Sequence, residues 1–546
     1  MRLTPSAHVD TFCRDGLPPL SQWPDLSSPV PDVAYPDRLN CAVTLLTGAI
    51  EHYGPDRLCL ASPTERWTYG DVLRTARRIG RLLTEHHGLV PGNRVLLRGP
   101  NSPWLALCWL GLLTAGCVAV TTMPLLRARE LAEVHDVCRI DLALCDHRYL
   151  DELRAGLPGT PVLAYGGASP DDLVSQVDGI SDDFEPVRTA ADDVALLAFT
   201  SGTTGRPKAT MHFHRDVLAV ADTFSRTVLR PTPDDLFTGT PPLGFTFGLG
   251  GLLIFPLRAG AAVLLLESPT PDQLAGHIAD HGATVCFSAP TAYRAMLASG
   301  AATRLRGLRR AVSAGEHLPA STWHEFRRTT GVEIINGLGT TELLHIVVSA
   351  ADEDIRPGAT GRPVPGFDVA ILDEAGRPVP TGRVGRLAVR GPTGCRYLAD
   401  DRQRDYVRHG WNITGDSFRR DADGYLWYQA RTDDLIVSAG YKIAGPEVEE
   451  ALLAHPDVVE CGVVGVPDEL RGTLVTACVV LREGVAGDQT RARELQEFVK
   501  HRIAPYKYPR RIEFMSELPR TSSGKLRRFA LRDVARGVAE RDVVQG

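Results

Sequence analysis

Paired cysteines are what this sequence lacks first. Its 11 cysteines stand singly along 546 residues, and no Cys-x-x-Cys spacing occurs. Neither a zinc site nor a disulfide framework is indicated, and the usage suits a reducing cytoplasm. A strong charge of one sign is missing as well. The formal net charge of −6 gives no general reason to expect a nucleic acid or a membrane as partner. Residues 1–26 hold prolines and charges but no apolar centre, so they do not read as a signal peptide. The apolar run 104–123 approaches a membrane span in length. It contains Gly111 and Gly116 with several Thr and Cys, and Pro103 and Pro124 bracket it. A buried helix leading into a strand is the better reading.

What is present is the composition of a soluble globular enzyme, 43% hydrophobic and 23% charged. The length exceeds one core, so two or more domains are expected. Residues 1–40, with many prolines, are expected to wrap the surface. Val72, Leu73, Ala76, Ile79, Leu82 and Leu83 recur at helical spacing over 71–87, and Gly88 stops them. A strand then starts at Arg94, a helix covers 104–115, and strands cover 117–121, 140–145 and 161–165. This alternation predicts mostly parallel, doubly wound sheets. The acidic, aperiodic stretch 171–192 is expected to be an exposed connection.

That connection leads to the stretch around which the chain is organised. Residues 194–199 form an apolar run that reads as a buried strand. It empties into Thr200-Ser201-Gly202-Thr203-Thr204-Gly205, followed by Arg206-Pro207-Lys208. Small hydroxyl-bearing residues and glycines bring backbone N–H groups and hydroxyls close to one anion, and Lys208 adds a mobile point charge. The spacing is not that of a P-loop, because Pro207 separates the glycine from the lysine and Ala209 follows it. A surface linker has a similar composition; a grip on a nucleotide polyphosphate is the sharper reading.

Residues 200–208 resemble the phosphate-loop signature of the adenylate-forming enzymes, which include acyl- and aryl-CoA ligases, adenylation domains of peptide synthetases and luciferase. Further matches follow in that family's order over roughly residues 40–532. The segment Asn336-Gly337-Leu338-Gly339-Thr340-Thr341-Glu342 resembles the family's Asn-x-Tyr-Gly-x-Thr-Glu motif. The resemblance implies Asn336 at the adenine amino group, Thr341 at the α-phosphate and Glu342 as the magnesium ligand, with Glu316 and Gly337 in the nucleotide set. Leu338 departs from the usual tyrosine. Thr414-Gly415-Asp416 matches a motif whose aspartate accepts hydrogen bonds from the ribose hydroxyls. Arg431-Thr432-Asp433-Asp434 resembles the hinge motif, with Arg431 at ribose or phosphate and Asp433 as the hinge. Ser438, Gly440 and Lys442 would line a thiol tunnel. Pro519-Arg520-Thr521-Ser522-Ser523-Gly524-Lys525 carries the family's catalytic lysine at Lys525. Lys208, Thr200 and Glu342 complete the implied catalytic set.

Within the family, residues 337–346 and 431–449 resemble most the benzoate- and 2-aminobenzoate-CoA ligases. That resemblance implies an aryl pocket formed by Phe245, Phe247, Ala314, Gly315, Gly339 and His345. A lone histidine on an apolar segment is otherwise a satisfied core residue. The implied fold is α/β, with a large N-terminal domain (1–432) of doubly wound, mostly parallel sheets plus a small distorted β-barrel. A small mobile α+β domain (433–546) carries the catalytic lysine. The implied reaction converts an aromatic acid and ATP, with Mg2+, into acyl-AMP and pyrophosphate, then transfers the acyl group to CoA. A phosphopantetheinyl carrier protein or a non-thiol acceptor such as nitrite stays open as the second substrate, and a homodimer stays open as the assembly.

Overall fold

The computed structural model describes residues 3–26, 34–200, 207–431, 434, 436–438, 441–468, 472–503, 507–520 and 526–545. Two large sheets dominate. The first runs Val162–Tyr165, Leu142–Asp146, Arg94–Arg98, Val118–Thr122, Val194–Thr200 and Lys208–Phe213. All its pairings are parallel except the last, which is antiparallel. Its central strands are buried on both faces, as continuous apolar runs in a parallel sheet require. The second has nine strands. Leu58–Ala61, Ala262–Leu264, Leu236–Gly239, Val285–Ser288, Arg310–Ala314 and Ile334–Gly339 pair in parallel as a central block.

Helices cover these sheets as the spacing predicts. Tyr69–Arg81 is held by a capping box between Thr68 and Asp71 and continues as a π-helical turn over Leu82–His86. The apolar run becomes the buried helix Pro103–Thr114, capped by Ser102 with Pro103 at its first turn, followed by the strand Val118–Thr122. Among the described residues no helix is long and apolar enough to cross a membrane. The cysteines are all free and buried.

Two expectations need correction. The N-terminal stretch does more than wrap the surface: Cys13 is fully buried and Trp23 nearly so. Asp193 accepts hydrogen bonds from Ser6 Oγ (2.5 Å) and Ala7 N (3.0 Å), and Asp192 accepts one from Thr4 N (3.0 Å), which anchors it. Residues 171–192 are not all exposed either. Asp172 caps the short helix Leu173–Asp178, and Leu173 is fully buried. Single buried anchors of this kind leave no periodic trace.

In place of the expected small distorted barrel, the described residues form a five-stranded antiparallel sheet with no closing strand pair, Asp368–Leu372, Val384–Arg390, Val407–Arg408, Trp411–Arg420 and Leu426–Arg431. From Ile436 onward the chain builds a separate α+β lobe. It comprises a hairpin, the helices Gly445–Leu453, Gln489–Lys500 and Arg528–Gln545, and the sheet Val458–Asp468, Gly472–Leu481 and Arg511–Phe514. Ile436, Ile443, Val448, Leu452, Val463, Val479 and Leu495 form its own core.

Candidate active site

Strand ends gather the candidate residues, as expected where parallel sheets present the carboxyl ends of their strands. Thr200 and Lys208 are register partners across the antiparallel pair Val194–Thr200 and Lys208–Phe213. They flank the segment expected to grip phosphate. Ser201, Gly202, Thr203, Thr204 and Gly205 lie outside the described residues. The Thr200 hydroxyl is buried with no hydrogen-bond partner among the described residues.

Lys208 meets Glu342 through a residue the sequence did not single out. The Tyr397 hydroxyl donates to Glu342 Oε1 (2.7 Å), and Lys208 Nζ donates to the same hydroxyl (3.4 Å). The ammonium also stands 4.9 Å from the Tyr397 ring centroid, a cation–π distance. Burial, with the Glu342 carboxylate beside it, pushes the phenol well above its usual range, so it stays protonated.

Glu342 sits on a tight turn. Thr340 caps the 3₁₀ turn Thr341–Leu343, its hydroxyl within 3.1 Å of Tyr406 Oη. Leu344 follows at φ +71°, unusual for a bulky residue, and Thr393 Oγ1 donates to Leu343 O (2.8 Å). His212 Nε2 lies 2.8 Å from Thr341 O. Burial lowers the pKa of His212 to about 3, so the neutral ring donates to that carbonyl.

The residues expected at the nucleotide lie on the strand that leads into this turn and on the small sheet. Asn336 pairs with Ser313 along neighbouring parallel strands, and its side-chain Oδ1 is buried without a partner among the described residues. An unpaired amide oxygen fits an amino group. Gly337 leaves room for Ile346, and Gly339 for the backbone of His345, where any Cβ would collide. Across the small sheet Asp416 and Arg431 are register partners, with Arg431 Nε 3.7 Å from Asp416 Oδ1. Gly415 at φ +76° admits the turn before the aspartate.

On the other side of the turn lies an aromatic compartment. His345 is 3% exposed. Its ring lies 4.5 Å from Phe255, 5.7 Å from Phe224 and Phe247, and 6.4 Å from Phe287. Burial drives its pKa down to about 3. The neutral ring brings Nε2 within 3.3 Å of Phe247 O, while Nδ1 is buried with no partner among the described residues. A Cβ on Gly250 would run into this imidazole. Of the expected pocket residues, Phe247 joins the compartment. Phe245 caps the helix Thr246–Leu249 and is half-buried. Ala314 is buried at a strand end, and Gly315 follows it at φ +90°.

The C-terminal lobe reaches the same edge. Arg520 Nη1 is 3.4 Å from Glu316 Oε1 of the large lobe, and its Nη2 is 3.0 Å from Glu460 Oε2 of its own. Glu450 Oε1 accepts a hydrogen bond from Ala320 N (3.3 Å). Ser438 is buried. Lys525, Asp433 and Gly440 lie outside the described residues, as does the Lys442 side chain. Sequence reasoning missed Tyr397, His212, Arg520 and the ring set Phe224, Phe255 and Phe287. The first three act through contacts more than 50 residues away in sequence. The phenylalanines look like any core residue.

Comparison with known proteins agrees with this geometry. The AMP-binding enzyme model matches residues 49–397, and the AMP-binding enzyme C-terminal domain model matches residues 447–525. The chain belongs to the AMP-binding enzyme family. It is 32% identical to a benzoate–CoA ligase of Thauera aromatica, over 93% of this chain and 98% of the relative. Among solved structures it is similar to the anthranilate CoA ligase AuaEII in complex with anthranoyl-AMP, with a TM-score of 0.88, 31% identity, and coverage of 94% of this chain and 100% of that one. It is also similar to a benzoate CoA ligase from Burkholderia xenovorans LB400, with a TM-score of 0.83, 32% identity, and coverage of 90% and 100%.

Proposed function

We propose that the protein is an AMP-forming aryl–CoA ligase. It activates a benzoate-type acid with ATP and passes the acyl group to the thiol of CoA. The observation that carries this is the turn 340–345, which points Glu342 toward Lys208 through Tyr397 and sets His345 among four phenylalanines. Relatives named for benzoate and anthranilate support the same reading.

In the first step the substrate carboxylate attacks the α-phosphorus of ATP, and pyrophosphate leaves. Two anions must approach, so cations must shield them. Lys208 and the loop 200–208 serve the leaving pyrophosphate, and Lys525 bridges the carboxylate and the phosphate. Asn336 accepts from the adenine amino group, Thr341 meets the α-phosphate, and Asp416 with Arg431 holds the ribose. Among the described residues no group of three or more His, Cys, Asp or Glu is placed to hold a metal. Glu342 would hold a magnesium ion together with oxygens of the phosphates and water, and the ion would supply charge neutralisation.

In the second step the thiol attacks the acyl carbonyl and AMP leaves. The lobe beyond residue 432 turns about Asp433, which withdraws Lys525 and brings Ser438, Gly440 and Lys442 to a pantetheine channel. On the acid side, His345 donates through Nε2–H, so Nδ1 is an unpaired acceptor. It favours an aromatic acid bearing an amino or hydroxyl donor over bare benzoate, because the unpaired site costs binding energy otherwise.

The test is acid-dependent pyrophosphate release with and without CoA, across benzoate, 2-aminobenzoate, 3-aminobenzoate, salicylate and a medium-chain fatty acid. Turnover that needs CoA, on an amino- or hydroxybenzoate, is expected. A burst without turnover, indifferent to CoA, overturns the acceptor and leaves the adenylation. Release only with the fatty acid overturns the aromatic reading.

A further inference from the structure

Tyr397 is fixed with more connections than packing alone requires. The segment 395–398 leaves the small sheet and lies along the edge strand Lys208–Phe213. Met211 N donates to Arg396 O (2.8 Å), Leu398 N donates to Ala209 O (2.9 Å), and Thr210 and Tyr397 form an antiparallel bridge. Gln403 clamps it from the other side. Its Oε1 accepts from Tyr397 N (2.9 Å), and its Nε2 donates to Cys395 O (3.1 Å) and Gln22 O (2.9 Å). The neighbouring Arg396 is fully buried, paired with Asp216 and stacked 4.0 Å from the Phe213 ring. The Tyr397 ring itself is fully buried and meets Tyr406 edge-on at 5.8 Å. Three structural units, namely the N-terminal stretch, the first large sheet and the small sheet, converge to aim one phenol.

That phenol joins a cation and an anion of the active site. Its single proton is committed to Glu342 Oε1, and its oxygen and ring face receive the Lys208 ammonium. We propose that Tyr397 is a positioning residue for the ATP polyphosphate. By occupying Oε1 it fixes the carboxylate plane and leaves the second oxygen for a cation on the phosphate side. By holding Lys208 through a long hydrogen bond and its ring face, it keeps the ammonium beside the loop 200–208 until phosphate oxygens compete for it. The inference rests on the ATP-dependent reading above.

The variant is Tyr397→Phe, which keeps the ring, the packing and the cation–π face and removes only the hydroxyl. Calorimetry with Mg-ATP and with AMP separates the roles. Losing a hydrogen bond to a charged group is expected to weaken Mg-ATP binding about tenfold while AMP, which lacks the pyrophosphate, changes less than about twofold. In acid-dependent pyrophosphate exchange the KM for ATP rises with it. Thioester formation from supplied acyl adenylate stays unchanged. Equal weakening of ATP and AMP, or no weakening of either, overturns the proposal.

A second readout does not depend on turnover. The sequence's lysines are Lys208, Lys442, Lys500, Lys507 and Lys525, few enough for a resolved 13Cε-lysine spectrum, with Lys208 assigned by Lys208→Arg. Its signal is expected upfield, over the Tyr397 ring, and is expected to move downfield when Mg-ATP binds. A signal at the free-lysine position in the wild type refutes the parking role. Wild-type protein that binds no ATP, yet keeps the upfield Lys208 signal, refutes the functional reading and not the contact.

Discussion

The two sides of the turn 340–345 are built on different principles. On one side Glu342, Tyr397 and Lys208 form a chain of charge-assisted contacts that runs from carboxylate through phenol to ammonium. On the other, His345 has one polar contact, and the rest of its surroundings is four phenyl rings. The polar side tolerates little substitution, because a carboxylate or ammonium cannot be replaced without changing the chemistry. The apolar side is set by shape, where several residues of similar volume serve. In the proposed reaction charge serves the nucleotide half and packing the acid half.

Breaking the polar side gives the largest effects. Lys525→Ala is expected to abolish adenylate formation while sparing thioester formation from supplied acyl-AMP; equal loss in both half-reactions, measured separately, removes the lysine from that role. Glu342→Gln keeps the volume and the hydrogen bond site but loses the charge. Pyrophosphate exchange is expected to fall about 10²–10³-fold with little change in melting temperature, the scale seen when one electrostatic stabiliser is removed. A fall below tenfold takes Glu342 out of the first step.

Breaking the apolar side changes preference more than rate. His345→Phe keeps an aromatic ring and removes the Nδ1 acceptor. The kcat/KM for an amino- or hydroxybenzoate is expected to drop about 10- to 100-fold relative to benzoate. An unchanged ratio between the two acids means the ring substituent is read elsewhere. Gly250→Ala pushes a methyl into the imidazole. It is expected to cost about 1–3 kcal/mol of stability, read by chemical denaturation, and to raise the KM for the acid while leaving that for ATP in place.

The smallest effect is on pH dependence. His212, His214 and His345 are buried, and each is held neutral with its pKa lowered to about 3. The unfolded chain takes up protons near pH 6.5, so between these values it binds more protons than the folded chain. Stability is therefore present above pH 6.5 and is lost as pH falls, by about 1 kcal/mol per histidine at pH 5.5. The melting temperature is expected to drop between pH 7.5 and 5.5, and to drop less in His345→Phe. An identical acid shift in that variant shows that His345 is not among the responsible groups.

Much of the fold was legible because its signals are local. The alternation after residue 94 became the parallel strands of the first sheet, and the run 104–123 became a buried helix and strand because Pro103, Ser102 and Gly116 punctuate it. The loop 200–208 and the motifs at Glu342 and Asp416 were proposed on signals of the same kind: residue types that carry their chemistry at fixed short spacing. The anchoring of residues 3–26 was not legible, since Asp192 and Asp193 reach it from far along the chain.

By itself the sequence determined the class of sheet and the candidate residues proposed to hold a nucleotide. The tertiary structure alone decided that Tyr397 joins Lys208 to Glu342, that Arg520 spans Glu316 and Glu460, and that Phe224, Phe255 and Phe287 surround His345. The physical reason is range. Spacing along a chain records hydrogen bonds and periodicity within a few residues. A phenol placed between an ammonium and a carboxylate is recorded only where the edge strand Lys208–Phe213, the turn at Thr341–Leu343 and the segment 395–398 meet in space.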